Sequence, residues 1–173
     1  VLVIDLSTHN VEETYKFIKS NETIPVKNFI RNGSYFYAVT GNGIYRAVTT
    51  NTQLQNFQVW DRIDSLSNYT AVSSVNSKLY IANNSSVSVL INDTFHVVYS
   101  CDTNSTITTI SPGKKELLIC LYNVKTYRGA VLLMGSDNSL VDSFNKDIVY
   151  PAQAVQLIDN TIWIADTYKG LAM

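Results

Sequence analysis

The chain has 173 residues, with 46% apolar and 16% charged residues and a formal net charge of −1. That is enough apolar material for a real core, too little charge for the highly charged disordered class, and no basic surplus of the kind that phosphate binding demands. A mean hydropathy of +0.02 without a long apolar run also excludes an apolar membrane-spanning helix.

The chain opens on Val1-Leu2-Val3-Ile4-Asp5 and closes on Lys169-Gly170-Leu171-Ala172-Met173. Both ends read as strand, so residues 1–173 are expected to be a segment of a longer protein. Between them, ordered-looking stretches alternate with period two and are rich in β-branched and aromatic residues, which favours strands throughout. Four stretches carry strand text ending in a small residue: Tyr35 to Ala38, Leu79 to Ala82, Leu117 to Cys120 and Ile162 to Ala165. The small residues fall at 38, 82, 120 and 165, in steps of 44, 38 and 45. Residues 38–44 align with 165–171 without a gap, which places Gly43 over Gly170 as the residue that supplies a positive φ to the following turn.

Each unit has its own preceding inner strand: Val26 to Ile30, Tyr69 to Val75, Ile107 to Ser111 and Ala154 to Ile158. The turns Asn32-Gly33, Asn76-Ser77, Pro112-Gly113 and Asp159-Asn160 lead from these into the repeat cores. Outer strands are expected at Glu13 to Phe17, Phe95 to Tyr99 and Leu140 to Phe144. Thr52 to Asp61 is the one stretch with a weak helical spacing, through Leu54, Phe57 and Trp60. Val1-Leu2-Val3 reads as the third strand of an earlier unit. A period near 43 with several short strands predicts an all-β fold, a β-propeller of about four four-stranded antiparallel blades belonging to a larger propeller. Small residues suit inner strands, where blades converge.

Little here points to catalysis. His9 lies in a Ser-Thr-His-Asn turn and His96 on an expected outer strand. The acid pairs Asp61 with Asp64, and Asp142 with Asp147, sit in Ser- and Asn-rich text that reads as solvated turns. Metal-binding spacings such as Cys-x-x-Cys or His-Glu-x-x-His do not occur, and Gly41-Asn42-Gly43 is a hairpin, not a phosphate cradle. Cys120, inside an apolar run, reads as a small buried hydrophobe, and Cys101 as turn material. No enzyme activity, cofactor, metal or nucleic acid is expected. The seven Asn-x-Ser/Thr sequons, at Asn21, Asn32, Asn68, Asn83, Asn84, Asn92 and Asn104, fit either N-glycosylation of a eukaryotic secreted protein or chance matches from high Asn and Ser usage, and the second reading is favoured.

Aromatic residues are the more informative set. Trp60, Trp163, Tyr37, Tyr80 and Tyr168 are candidates for a recognition surface, weighed against core packing for Trp163 and Trp60. The binding candidates are Tyr45, Arg46, Trp60, Tyr168 and Lys169. Loops around Thr40–Asn42, Asn83–Ser86 and Thr126–Gly129 are the expected contact region.

Asp159 to Thr167 followed by Gly170-Leu171 resembles the repeat of bacterial two-component-regulator and NHL-like propellers. Val3 to Leu6, Glu12 to Tyr15, Tyr35 to Ala38, Gly43 to Ala47 and Leu54 to Trp60 resemble the N-terminal propeller of PorZ-like proteins of Bacteroidetes. This second resemblance is detailed over the first 60 residues and elsewhere is one of blade rhythm. It implies an exported protein with further propeller and β-sandwich domains, at the cell surface and outer membrane, in the attachment complex of type IX secretion. It brings no functional residue with it. The expectation is a non-catalytic scaffold that binds other proteins of a surface complex or a surface glycan. The rivals are a sensor propeller of a two-component regulator and a propeller-type lyase or hydrolase.

Overall fold

The structure is a computed structural model and describes residues 1–4, 6–19, 22–66, 68–156 and 161–172. It is an all-β propeller fold in which every sheet is antiparallel and only one short helical turn occurs among the described residues. Two compact units divide the chain, Val1–Asn68 and Tyr69–Met173.

The first unit holds two hairpins, β1 (Leu2–Ile4) with β2 (Val11–Thr14) and β3 (Ile18–Lys19) with β4 (Glu22–Thr23). A full blade follows, β5 (Val26–Asn32), β6 (Tyr35–Thr40), β7 (Gly43–Val48) and β8 (Asp61–Asp64), in that spatial order. Tyr15, Phe17, Ile24, Ala38, Tyr45, Ala47, Leu54 and Trp60 form its buried cluster. The weakly helical stretch contains a single 3-10 turn, Phe57–Val59, capped by the Asn56 side chain accepting from the Gln58 N–H. Leu54 and Trp60 flank that turn and share the core, where the Trp60 Nε1–H donates to the Leu54 carbonyl at 2.9 Å. Asp61 and Asp64 are not in a turn, as the sequence reading had them, but at the two ends of β8, where Asp61 pairs with Arg46 and Asp64 with Ile44. Their surroundings look like a turn in sequence because an outer strand needs apolar residues on neither face.

The second unit holds two four-stranded blades and a sheet of three strands. These are β9 (Ala71–Val75), β10 (Lys78–Ala82), β11 (Ser86–Ile91) and β12 (Thr94–Ser100); then β13 (Ser105–Pro112), β14 (Leu117–Asn123), β15 (Arg128–Met134) and β16 (Leu140–Phe144). The last sheet is β17 (Pro151–Gln156), β18 (Ile162–Asp166) and β19 (Gly170–Ala172). Strand β13 packs between β9 and β17, which makes the expected inner strands neighbours. Two-residue turns with both residues at positive φ, Asn76-Ser77 and Asn92-Asp93, close two hairpins with the twist that right-handed strands require. Strand β17 begins at Pro151, three residues before its expected start; Leu157, Ile158 and the Asp159-Asn160 turn lie outside the described residues.

Alternation along β14 explains its uninterrupted apolar text. Leu117, Ile119 and Leu121 face the cluster shared with Tyr80, Ala82, Val87 and Val89 of the preceding blade. Leu118 and Cys120 face Ile148, Ala154 and Ile164 of the following one. A strand covered on both faces needs hydrophobes at every position.

The four small residues lie on the second strand of their blades, as expected, but not in one register. Ala82 and Cys120 face the following blade. Ala38 faces the opposite way, into the cluster of Tyr15, Phe17 and Ile24 from the chain before its blade. Ala165 is exposed. Convergence near the inner strands therefore asks for small side chains at more than one slot, and the sequence fills different slots in different blades.

Both cysteines are free thiols. Burial pushes the Cys120 thiol up to about 12, and burial also raises that of half-buried Cys101. A thiol reagent at mildly alkaline pH is expected to label Cys101 slowly and Cys120 only after denaturation, since the thiolate is the nucleophile. Fast labelling of both in the native state would contradict the packing of β14.

Candidate functional site

The turn joining the second and third strands of each blade is held by one polar side chain at the end of the second strand. In the first unit, Thr40 Oγ1 accepts from the Asn42 N–H at 3.0 Å and donates to the Gly43 carbonyl at 2.8 Å. Asn83 Oδ1 accepts the N–H groups of Ser85 and Ser86 at 2.9 and 2.8 Å. Asn123 Oδ1 accepts those of Lys125 and Thr126 at 3.1 and 3.0 Å, while its amide donates to Ser105 Oγ. Asp166 Oδ1 accepts those of Tyr168 and Lys169 at 2.9 and 3.0 Å. These positions recur at intervals of 43, 40 and 43 residues. Short polar side chains that bind backbone donors two or three residues on make compact turns, and this is the slot that defines the repeat.

Asp166 does more than its counterparts. Its second oxygen accepts the N–H groups of Val149 and Tyr150 at 2.7 and 2.8 Å. Only 5% of the residue is exposed. Burial by itself raises the carboxyl pKa, and the four backbone donors outweigh it and hold the group below the ordinary aspartate range. One carboxylate thus ties the approach to β17 to the β18–β19 turn.

That tie fixes an aromatic row on the second unit. The Tyr122 and Tyr150 rings lie 4.8 Å apart at 48°, and the Tyr150 and Tyr168 rings 6.4 Å apart at 76°. Tyr122 and Tyr150 are half-buried, whereas Tyr168 is 72% exposed. Gly129, register partner of Tyr122, lets the two blades close up: a Cβ there would lie 2.5 Å from Pro151 Cδ and 2.9 Å from the Val149 carbonyl oxygen. The 123–128 turn beside the row exposes Val124 and Tyr127, with Tyr127 held at a φ of 55°.

The five sequence candidates separate into different places. Tyr45 and Trp60 are core residues, 4% and 5% exposed, within a ring cluster that includes Phe17 and Phe57. Neither offers a contact surface: strand alternation turns Tyr45 inward, and Trp60, closing the 3-10 turn, is held in the core by its indole N–H bond to the Leu54 carbonyl. Half-buried Arg46 lies on the opposite face of its strand from Tyr45, its guanidinium 4.8 Å from the Tyr35 ring centroid. Tyr168 and Lys169 are exposed. Of the wider aromatic set, Tyr37 and Tyr80 are buried and Trp163 is half-buried. Burial raises the Tyr80 phenol pKa, and its hydroxyl bonds Asn138 Oδ1 at 3.2 Å.

The ionisable groups weighed for catalysis are dispersed. His9 and His96 are exposed, as are Asp142 on β16 and Asp147 after it. The first unit has a shallow cleft of about 760 Å³ lined by Val11, Thr14, Lys16, Ile18 and residues 55–58. Among the described residues, Lys16 is the one ionisable group in that lining.

No protein-family model and no curated protein matches the chain. Solved structures do match it at low identity. The chain resembles PorZ, a bacterial surface component of the type IX secretion system of Porphyromonas gingivalis, with a TM-score of 0.72 and 16% identity over 99% of this chain and 22% of that one. It resembles Hsv2p of Kluyveromyces lactis with a TM-score of 0.61 and 14% identity, over 85% of this chain and 48% of that one. It also resembles hydrazine synthase of Kuenenia stuttgartiensis, with a TM-score of 0.55 and 14% identity over 77% of this chain and 39% of that one. The chain spans about a fifth to a half of these proteins, which include a surface component and an enzyme. What they share with it is the propeller fold.

Proposed function

We propose that the chain is a non-catalytic, protein-binding propeller segment of an exported bacterial protein at the cell surface, in an assembly of the type IX secretion kind. The observation that carries the binding role is the row of Tyr122, Tyr150 and Tyr168, exposed at one end and fixed from beneath by a carboxylate. Rigid, partly exposed tyrosines give large contact area at small entropic cost, which is what recognition surfaces use. A non-catalytic role is supported by what the acids do. Asp166 is occupied by four backbone donors, and Asp61, Asp64 and Asp142 lie on outer strands. The surface setting is supported by the likeness to PorZ over 99% of the chain and by the motifs of the first 60 residues.

The test uses the full-length protein in the cells that make it, with a photo-crosslinking amino acid at position 168. Protease added to intact cells is expected to cut the propeller, and illumination to join it to another protein. Resistance to protease until lysis overturns the surface setting. Intact-cell cleavage with no protein adduct from position 168, while an exposed control site on β12 behaves the same, overturns the binding role.

A further inference from the structure

We infer that the Tyr122–Tyr150–Tyr168 row is a docking point for an acidic peptide segment of a partner protein, a proposal that rests on the protein-binding reading above. Charge gives the sign of the ligand. The turns that border the row contribute Lys125, Arg128 and Lys169, all exposed, and no exposed acid lies within residues 123–128 or 167–170. Asp166, between them, is buried and has its oxygens turned to backbone N–H groups, so it does not neutralise these cations at the surface. The neighbouring loops add exposed Lys146, Asp147 and Asp102, so four exposed cations, Lys125, Arg128, Lys146 and Lys169, stand against two exposed acids around the row. A chain that is nearly neutral as a whole therefore carries a local positive field beside an aromatic row.

Ring geometry gives the class of ligand. Neighbouring rings are tilted by 48° and 76°, so they present no common flat face on which successive sugar rings could stack. Tilted, part-buried rings instead leave notches between them, suited to the side chains of a peptide. The support beneath is preorganised. The N–H groups of Tyr150 and Tyr168 both bind Asp166, so docking does not have to order the two loops that supply the rings. Lys169, one residue from Tyr168, places a flexible cation next to the most exposed ring.

The experiment pans a random phage-displayed peptide library on the chain and measures the selected peptides by fluorescence anisotropy. Sodium polygalacturonate serves as the polysaccharide probe. Selected peptides are expected to carry net negative charge and to bind more weakly as salt rises. Tyr168→Ala and Lys169→Glu are each expected to weaken binding about tenfold, the loss of one hot-spot contact. Val97→Thr on the exposed β12 strand is expected to leave binding unchanged, and lysine-for-acid versions of the peptides to regain binding to Lys169→Glu. Residues 168 and 169 are exposed, so unchanged thermal unfolding of both variants is the expected folding check.

Peptides without charge bias, or a library that yields no binder, overturn the proposal. Acidic peptides that ignore both substitutions overturn this location while leaving the protein-binding reading in place. Polygalacturonate binding that depends on Tyr168, with no peptide binding there, overturns both.

Discussion

Asp166→Asn is expected to destabilise the second unit by about 2 kcal/mol and Asp166→Ala by about 3 kcal/mol, from the usual worth of hydrogen bonds to a charged acceptor whose partners are left buried. The native carboxylate takes four backbone N–H groups on two oxygens. The asparagine amide keeps one oxygen and turns an NH₂ toward two donors, so half of the arrangement becomes repulsive. Thermal unfolding should register the alanine change as a fall of roughly 10 °C.

The pH dependence has a definite sign. The folded-state pKa of Asp166 is below its unfolded value of about 3.9, so its contribution is fully present above that value and is lost as pH falls through the folded pKa. The gap in stability between the native chain and Asp166→Asn is therefore constant near neutrality and closes in acid. A gap that does not narrow at all as pH falls below about 3.9 would mean that the carboxylate's charge is not what holds the turn.

Gly43→Ala should be the costliest single methyl in the first unit. Gly43 opens β7 at a φ of 118°, where L side chains are strained, and an added Cβ would lie 2.1 Å from the Asp64 carbonyl oxygen and 3.2 Å from Ser65 Cα. The obstacle is the backbone of the outer strand, which cannot rotate away, so either β7 must change its φ or the β7–β8 pairing must part. Strain and overpacking together are worth about 4 kcal/mol.

Gly170 is the control supplied by the repeat. It opens β19 at a φ of 82° with nothing within 4 Å of its would-be Cβ. Gly170→Ala is expected to cost only the conformational part, about 1 kcal/mol. Denaturant titrations of the two variants separate the contributions: similar losses would show that backbone strain dominates, and the outer strand would not be as close to Gly43 as described.

The blade rhythm was legible because propeller strands leave a dense signal. The expected outer strand Leu140 to Phe144 is β16, the inner strands of the first three units and the second strands of all four appear where alternation and turn residues place them, and the fourth inner strand begins three residues early, at Pro151. The repeat's register was read one to three residues away from its true marker. Alanine and cysteine stand out in apolar text, whereas Thr40, Asn83, Asn123 and Asp166 are camouflaged in a chain full of Asn, Ser and Thr. Their signal was a short polar residue ending every second strand, followed two or three residues later by the donors it binds.

The candidate site was half visible. Tyr168 and Lys169 could be picked out as turn residues next to a glycine. Tyr122 and Tyr150 could not be joined to them, because 28 residues separate the pair and their approach depends on the missing side chain of Gly129. Tyr45 and Trp60 misled for the opposite reason. Aromatic residues near polar text look exposed until strand direction assigns Tyr45 to the inner face and Arg46 to the outer one.

Residue-resolved amide exchange tests the blade arrangement most directly. The slowest amides should recur once per blade on the two central strands, Tyr35–Thr40 with Gly43–Val48, Lys78–Ala82 with Ser86–Ile91, and Leu117–Asn123 with Arg128–Met134, while Thr94–Ser100 and Leu140–Phe144 exchange fast along their open edges. Protection that lacks this recurrence, or that is strongest on those outer strands, would contradict it.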